Sequence, residues 1–487
     1  MSDAVELCTI TDATPAPARS NEGSTSVGAH FNESSLAPID RGFGAWSFLL
    51  GAFLIEGVVW GFPNAYGVFL VKYLEDPAWT SQKHARSLLP LIGPLASGMM
   101  YGTETAASIA FPAAARFPRY RRKALWLGVV LVFTSLFGAS YARTIPTLLA
   151  LQGIIYSVGG VLLWAPEIYY MSDWFVERRG LALGVIDAGT ACGGLVLPLV
   201  LPPLIDKYGY AKVMRFYSIV CAGILTLVVP FVRGRLPEAR IVHGPINPRA
   251  VAQHRFFWLK DRTFWVINLA NTLQGLAYFR PSALAAEYAL RSSIYSHSAL
   301  TFNDLAYASS LRLSSRDSSL SLALLNAASL VGRLSNGLLS DTINPWLIAS
   351  VTLMLASLSV FVLWGVLSYT LTGVLVYGIA YGCLAGGWTS LWVSFLRPIA
   401  KDDPTLTTSM LGCMLLFRGV GNILSTPIST ALQNNDSGIG SQPIGIGDAY
   451  KGSYEKVILY AGTCFAAAAL VLATGWIMGG TFASRRR

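Results

Sequence analysis

Apolar runs longer than 18 residues recur along nearly the whole chain, and they limit its fold more than any other feature. Coiled as helix at about 1.5 Å per residue, each run is long enough to cross a hydrocarbon core of about 30 Å. The spacing predicts twelve spans. Six fall near residues 45–70, 88–112, 123–142, 146–170, 180–203 and 213–232, and six near 263–286, 318–340, 346–368, 371–396, 408–432 and 456–480. Charged residues make up 13% of the chain, against about 25% in a soluble domain. A series of soluble domains, which the length alone would suggest, is therefore excluded. The expected class is an all-α integral membrane protein of two six-helix bundles.

The charges that remain lie in particular loops. Arg116, Arg119, Arg121, Arg122 and Lys123 follow span two. Arg233, Arg235, Arg240, Arg249, Arg255, Lys260 and Arg262 follow span six, and Arg485, Arg486 and Arg487 close the chain. The net charge of +10 therefore reads as a topology signal rather than a nucleic-acid surface. If these loops are cytoplasmic, both termini are too, and an even number of spans agrees. The expected organisation is a disordered cytoplasmic segment over 1–44, a first bundle over 45–232, a linker over 233–262, a second bundle over 263–480 and a basic tail over 481–487. The cell membrane is the expected location, with the bilayer as surroundings and a single chain holding the whole pathway.

No secretory leader opens the chain. The six cysteines lack metal-site spacing, five of them fall in apolar spans, and no metal or cofactor is expected. The five histidines lie in loops, and no G-x-S-x-G, H-E-x-x-H or phosphate-cradling G-x-x-x-x-G-K-[ST] pattern occurs. These gaps argue against an enzyme and against an ATP-driven pump. The loop at 433–455 carries a glycosylation sequon at Asn435. The Ser-rich stretch 287–317 reads as an inserted segment between Tyr288 and Tyr307.

One short turn gathers charge between spans four and five. In "YYMSDWFVERRGLALGVIDAGTACGG", Asp173, Glu177, Arg178 and Arg179 sit together and Gly184, Gly189 and Gly193 follow. Charges are excluded from hydrocarbon, so a tight turn must hold them. Small residues four apart let helix backbones approach closely.

This stretch resembles the fifth-span signature of the monocarboxylate porter family, within the major facilitator superfamily. "DRGFGAWSFLLGAF", Asp40 to Phe53, is similar to that family's first-span signature, and "GRLSNGLLSD", Gly332 to Asp341, to the superfamily motif after span eight. The fungal branch matches best. The resemblance implies a rocker-switch carrier whose cytoplasmic gate is formed by charges pairing across the halves: Asp173, Arg178, Arg179, Arg333 and Asp341.

Polar residues deep in spans mark the solute path. Asn268, Asn271, Gln274 and Tyr278 share one face of span seven over about 15 Å, and that face is read as lining a cavity. Glu56, Glu104, Asp187, Arg280, Arg333 and Arg418 add ionisable groups. A guanidinium suits a carboxylate solute, and the carboxylates suit neutralising it or taking up a proton. The resemblance also exposes departures. Mammalian members of the family carry F-P-K in span one, where this chain has Phe62-Pro63-Asn64. They carry an aspartate one turn before the span-eight arginine, where this chain has Ser329. The expected function is secondary transport of a small organic solute, an organic anion such as a monocarboxylate, with proton symport left open. Import or export of a larger metabolite, riboflavin-like or secondary, is the alternative, and a non-transporting sensor is the second.

Overall fold

The computed structural model describes residues 36–110, 118–235, 257–278, 315–368, 371–400, 404–432 and 455–484. Several residues singled out above lie outside these ranges: Arg116, Arg280, Asn435, the stretch 287–314, most of the N-terminal segment and central linker, and Arg485, Arg486 and Arg487 of the tail. The side chain of Glu104 is likewise outside the described set.

The described residues form twelve long helical stretches. The first bundle holds α1 (Gly42–Glu75), α2 (Ile92–Ala110), α3 (Pro118–Ala139), α4 (Ile145–Trp174), α5 (Arg179–Tyr208) and α6 (Tyr210–Phe231). The second holds α7 (Arg262–Tyr278), α8 (Ser315–Ser340), α9 (Pro345–Leu367), α10 (Thr372–Ala400), α11 (Pro404–Leu432) and α12 (Glu455–Ser484). Nine of them are long and apolar enough to cross a membrane on length and composition. α7 carries a run of polar residues, Asn268, Asn271 and Gln274, all three buried.

Several helices outrun the apolar core of their span. α1 extends to Glu75, and its last turn is tied outside the apolar run: Lys72 Nζ meets Glu75 at 2.9 Å and Asp206 of α5 at 3.1 Å. α2 starts at Ile92, four residues later than the hydropathy suggests. Two short helical turns, Pro77–Thr80 and Ala85–Leu88, come first, and Asp76 caps the former by accepting the Ala78 N–H at 2.9 Å. α4 contains a π-helical stretch at Leu149–Ile155, and α9 ends in one at Ser359–Leu367.

Glycines decide where helices touch. α1 and α5 meet backbone to backbone: a Cβ on Gly189 would land on the Phe53 carbonyl oxygen, and one on Gly193 would sit 2.9 Å from Gly61 Cα. The second close approach joins the two bundles. A Cβ on Gly184 of α5 would lie 2.7 Å from the Arg333 carbonyl oxygen, and one on Gly337 of α8 would lie 2.9 Å from Gly184 Cα. A further contact between the bundles is polar: the Thr105 hydroxyl of α2 donates to the Gly412 carbonyl of α11 at 2.6 Å.

Gly193→Leu should prise α1 from α5 at a cost of about 1–3 kcal/mol, typical of overpacking, and lower the apparent melting midpoint of the detergent-solubilised protein. Gly223→Ala, where an added Cβ meets nothing within 4 Å, should leave that midpoint unchanged.

Candidate functional site

Two polar zones break the apolar interior. The first lies at the end of the bundle that carries the α4–α5 and α8–α9 turns. The opening amides of a helix have no partner within it and present partial positive charge. At α5 two carboxylates take these amides. Asp40, buried just before α1, accepts the N–H groups of Val176, Glu177 and Arg178 at 3.1 to 3.3 Å. Asp341, at the end of α8, accepts those of Gly180 at 2.7 Å and Leu181 at 2.9 Å. Asp40 reaches this geometry through a left-handed backbone (φ 56°), which aspartate tolerates better than most residues. Its own N–H donates to the Trp174 carbonyl at 2.9 Å.

Asp40 and α5 belong to the first bundle, and Asp341 belongs to the second. The Asp341 contact therefore closes this end between the halves. The expected charge-to-charge gate is corrected here for two of its members. Asp341 engages backbone amides, and Arg333 crosses the boundary by donating from Nη1 to the Asp187 carbonyl oxygen at 2.6 Å. Among the described residues, the charges that act on Asp173, Arg121 and Arg235, lie on α3 and just after α6. Arg179 Nε donates to the Phe175 carbonyl at 3.1 Å, within its own turn, and Arg178 is exposed. The physical reason is that four free amides at a helix start offer a fixed, partly buried counter-charge, whereas two long side chains must be ordered to pair.

The second zone lies inside the spans, where Glu56, Asp187, Arg333 and Arg418 are buried together with Glu167. Glu56 of α1 accepts the Thr190 hydroxyl at 3.0 Å. The Asp187 carboxylate faces the Thr389 and Ser390 hydroxyls of α10 and feels the Arg333 charge. Arg333 Nε also reaches Ser329 Oγ at 3.3 Å; Ser329 stands where the resembled family carries an aspartate. On α11 the Arg418 guanidinium lies 5.0 Å over the Tyr278 ring. Tyr101 of α2 sits within electrostatic reach of Glu56, Arg333 and Arg418 and packs on Trp60 with ring centroids 5.0 Å apart. The zone thus has an acidic wall from the first bundle and a basic wall from the second. Asn64 lies two turns beyond Glu56 on α1, half-buried.

The α7 stripe is a correction in part. Asn271 does not line open space: its amide donates to the Met414 carbonyl of α11 at 2.8 Å and its oxygen accepts the Trp388 indole N–H of α10 at 2.9 Å. Gln274 Nε2 reaches the Ala385 carbonyl at 3.4 Å, and Asn268 Nδ2 donates to the Phe264 carbonyl at 2.9 Å. In an apolar surrounding an amide side chain takes whatever backbone carbonyl a neighbouring helix offers. Of the stripe, Tyr278 is the residue placed beside a buried charge.

Glu167 was missed at the sequence level. It is fully buried on α4. The signal was present: an acidic residue in an apolar run, the same property that picks out Glu56.

This arrangement defines a class, a two-bundle helical carrier with a polar interior between its halves. Comparison with known proteins is specific. The chain belongs to the Major Facilitator Superfamily, whose family model matches residues 48–426, and it is a multi-pass membrane transporter. It is 26% identical over 453 residues to the MFS transporter asaE of Aspergillus flavus, covering 90% of this chain and 89% of that one. It is 24% identical to the aspyridones efflux protein apdF of Emericella nidulans, over 82% of this chain and 74% of that one. Among solved structures, the proton:xylose symporter XylE superposes with a TM-score of 0.61 at 14% identity, covering 88% of this chain and 95% of that one.

Asp341→Asn removes charge-assisted hydrogen bonds worth about 1.5–3 kcal/mol and should open the end that Asp341 closes. Spin labels on the exposed positions Glu177 and Thr342 should then show a longer-distance population that the parent protein lacks.

Proposed function

We propose that this transporter exports an organic anion larger than a simple monocarboxylate, by alternating access between its two bundles. The observation that carries the reading is a pair of guanidinium groups, Arg333 and Arg418, buried on the second-bundle wall of the interior. A buried arginine is retained in a span only where it is paired or faces a polar path, and its fork suits a carboxylate. The aromatic rings of Tyr278, Tyr381, Tyr101 and Trp60 nearby suit a bulky, partly apolar solute. Support for export comes from the efflux protein of Emericella nidulans described above. The absence of the family's span-one lysine at Asn64 and of its aspartate at Ser329 favours a solute other than lactate.

In this reading the end closed by Asp341 is the cytoplasmic one, because Arg121, Arg122, Lys123, Arg233 and Arg235 lie there. Both termini are then cytoplasmic, the first bundle runs over 45–232 and the second over 263–480. Separation of α5 from α8 opens the cytoplasmic side. The narrower alternative is a monocarboxylate porter in the strict sense, coupled to protons and working as a monomer in the cell membrane.

The test uses yeast depleted of its own carriers. Cells preloaded with fluorescein, an aromatic anionic dye, should lose it faster when they express this protein. Arg418→Ala should cut that efflux by about tenfold or more, the equivalent of one charge-assisted contact, and Arg418→Lys by less. Uptake of labelled acetate, lactate and pyruvate should match that of control cells. Uptake of these acids without dye export, from protein verified at the surface, would overturn the larger-solute reading.

A further inference from the structure

Among the described residues, the spans bury three carboxyl groups, Glu56, Glu167 and Asp187, and two guanidinium groups, Arg333 and Arg418. An uncompensated negative charge in such surroundings is expelled or neutralised. The three carboxyls are not equally placed. Glu56 has the Thr190 hydroxyl. Asp187 lies in the field of the Arg333 charge. Glu167 is 0% exposed, and neither of its two oxygens has a hydrogen-bond partner among the described residues.

The helices packed against α4 are α1, α2, α3, α5 and α11. They carry Glu56, Tyr101 with Glu104, Arg121, Asp187 and Arg418 respectively. Of the described groups, Glu56 is the one whose charge acts on Glu167, and it has the same sign. Arg121 is engaged elsewhere, over the Tyr169 ring at 4.6 Å and beside Asp173. Among the described residues of the neighbouring helices, none is seen to supply Glu167 with the counter-charge that a carboxylate would need.

We propose that Glu167 is a proton-binding site of this transporter, holding its proton in the closed arrangement seen here and exchanging it when the bundles part and water enters. This site lies on the first-bundle wall, separate from the guanidinium wall proposed for the solute. The proton and the solute would thus be held by different halves. Their coupling runs through Glu56, whose charge acts on Glu167 and which, like Arg333 and Arg418, lies within electrostatic reach of Tyr101. The protonation of Glu167 stands without the export reading; its use in coupling rests on that reading.

The test is infrared spectroscopy of the full chain in lipid nanodiscs, with no solute present. At neutral pH the parent protein should show the carbonyl stretch of a protonated carboxylic acid, and Glu167→Gln should lose that band. Glu56→Gln, Asp187→Asn and Glu104→Gln should keep it, so the assignment survives by exclusion if Glu167→Gln does not fold. A band that persists in Glu167→Gln, or that disappears in one of the other three, would overturn the proposal. In proteoliposomes with fluorescein as the solute, a gradient of one pH unit is worth about a tenfold solute gradient per coupled proton. Glu167→Gln should abolish that gradient-driven accumulation while keeping solute-for-solute exchange. Accumulation that still follows the pH gradient in Glu167→Gln would remove the coupling role and leave the band result to judge protonation alone.

Discussion

Everything in this molecule leans on α5. Its backbone lies against α1 through Gly189 and Gly193 and against α8 through Gly184. One contact is made within a bundle and the other between bundles. Close approach without side chains brings many weak dispersion contacts and exposes carbonyl oxygens to the facing helix. The first turn of the same helix presents its amides to Asp40 and Asp341. The two carboxylates do different jobs. Asp40 shapes the turn from within its own bundle, and Asp341 holds the other bundle to it.

The interior extends the same logic to charge. Arg333 lies on α8 just above the glycine crossing and donates to a backbone carbonyl of α5 rather than to a carboxylate. It therefore serves both the boundary and the polar zone. Any motion that separates Gly184 from Gly337 must also strip Arg333 of that acceptor. The Asp187 carboxylate, on the same residue, already lies in the field of Arg333. In the proposed reading a solute carboxylate is another acceptor, and closure and solute recognition draw on one side chain.

Much of the fold was legible in the sequence because hydrophobic length alone sets helix number in a membrane. The boundaries were less legible, since helices continue past the hydrocarbon where polar ends find partners, as Lys72 does with Asp206. Glu167 illustrates the cost. With α4 ending near residue 170, an acid at 167 reads as interfacial. The helix in fact runs to Trp174, about one turn further, which leaves Glu167 deeper than hydropathy indicates. Asn271 failed for another reason. Its spacing placed it on the polar face of α7, but only the neighbouring helices determine that this face meets Met414 and Trp388 instead of open space. The charged turn between α4 and α5 was recognisable, whereas the carboxylates of Asp40 and Asp341 take backbone amides, which carry no sequence signal.

The tie around Asp40 also bears on how the chain is assembled during synthesis. The Arg235 guanidinium, just past α6, donates to the Ala37 carbonyl at 2.5 Å, and the Trp174 indole donates to the Arg233 carbonyl at 2.8 Å. The segment before α1, the α4–α5 turn and the segment after α6 are thereby laced together at one end, using only residues up to 235. The first bundle can be fastened shut as soon as α6 has left the ribosome, before any of the second bundle exists. Two amides at the start of α5 are then left over, and Asp341 meets them some hundred residues later. The order of synthesis thus matches the hierarchy of the contacts: the knot within the first bundle is tied first, and the tie between the bundles is added last.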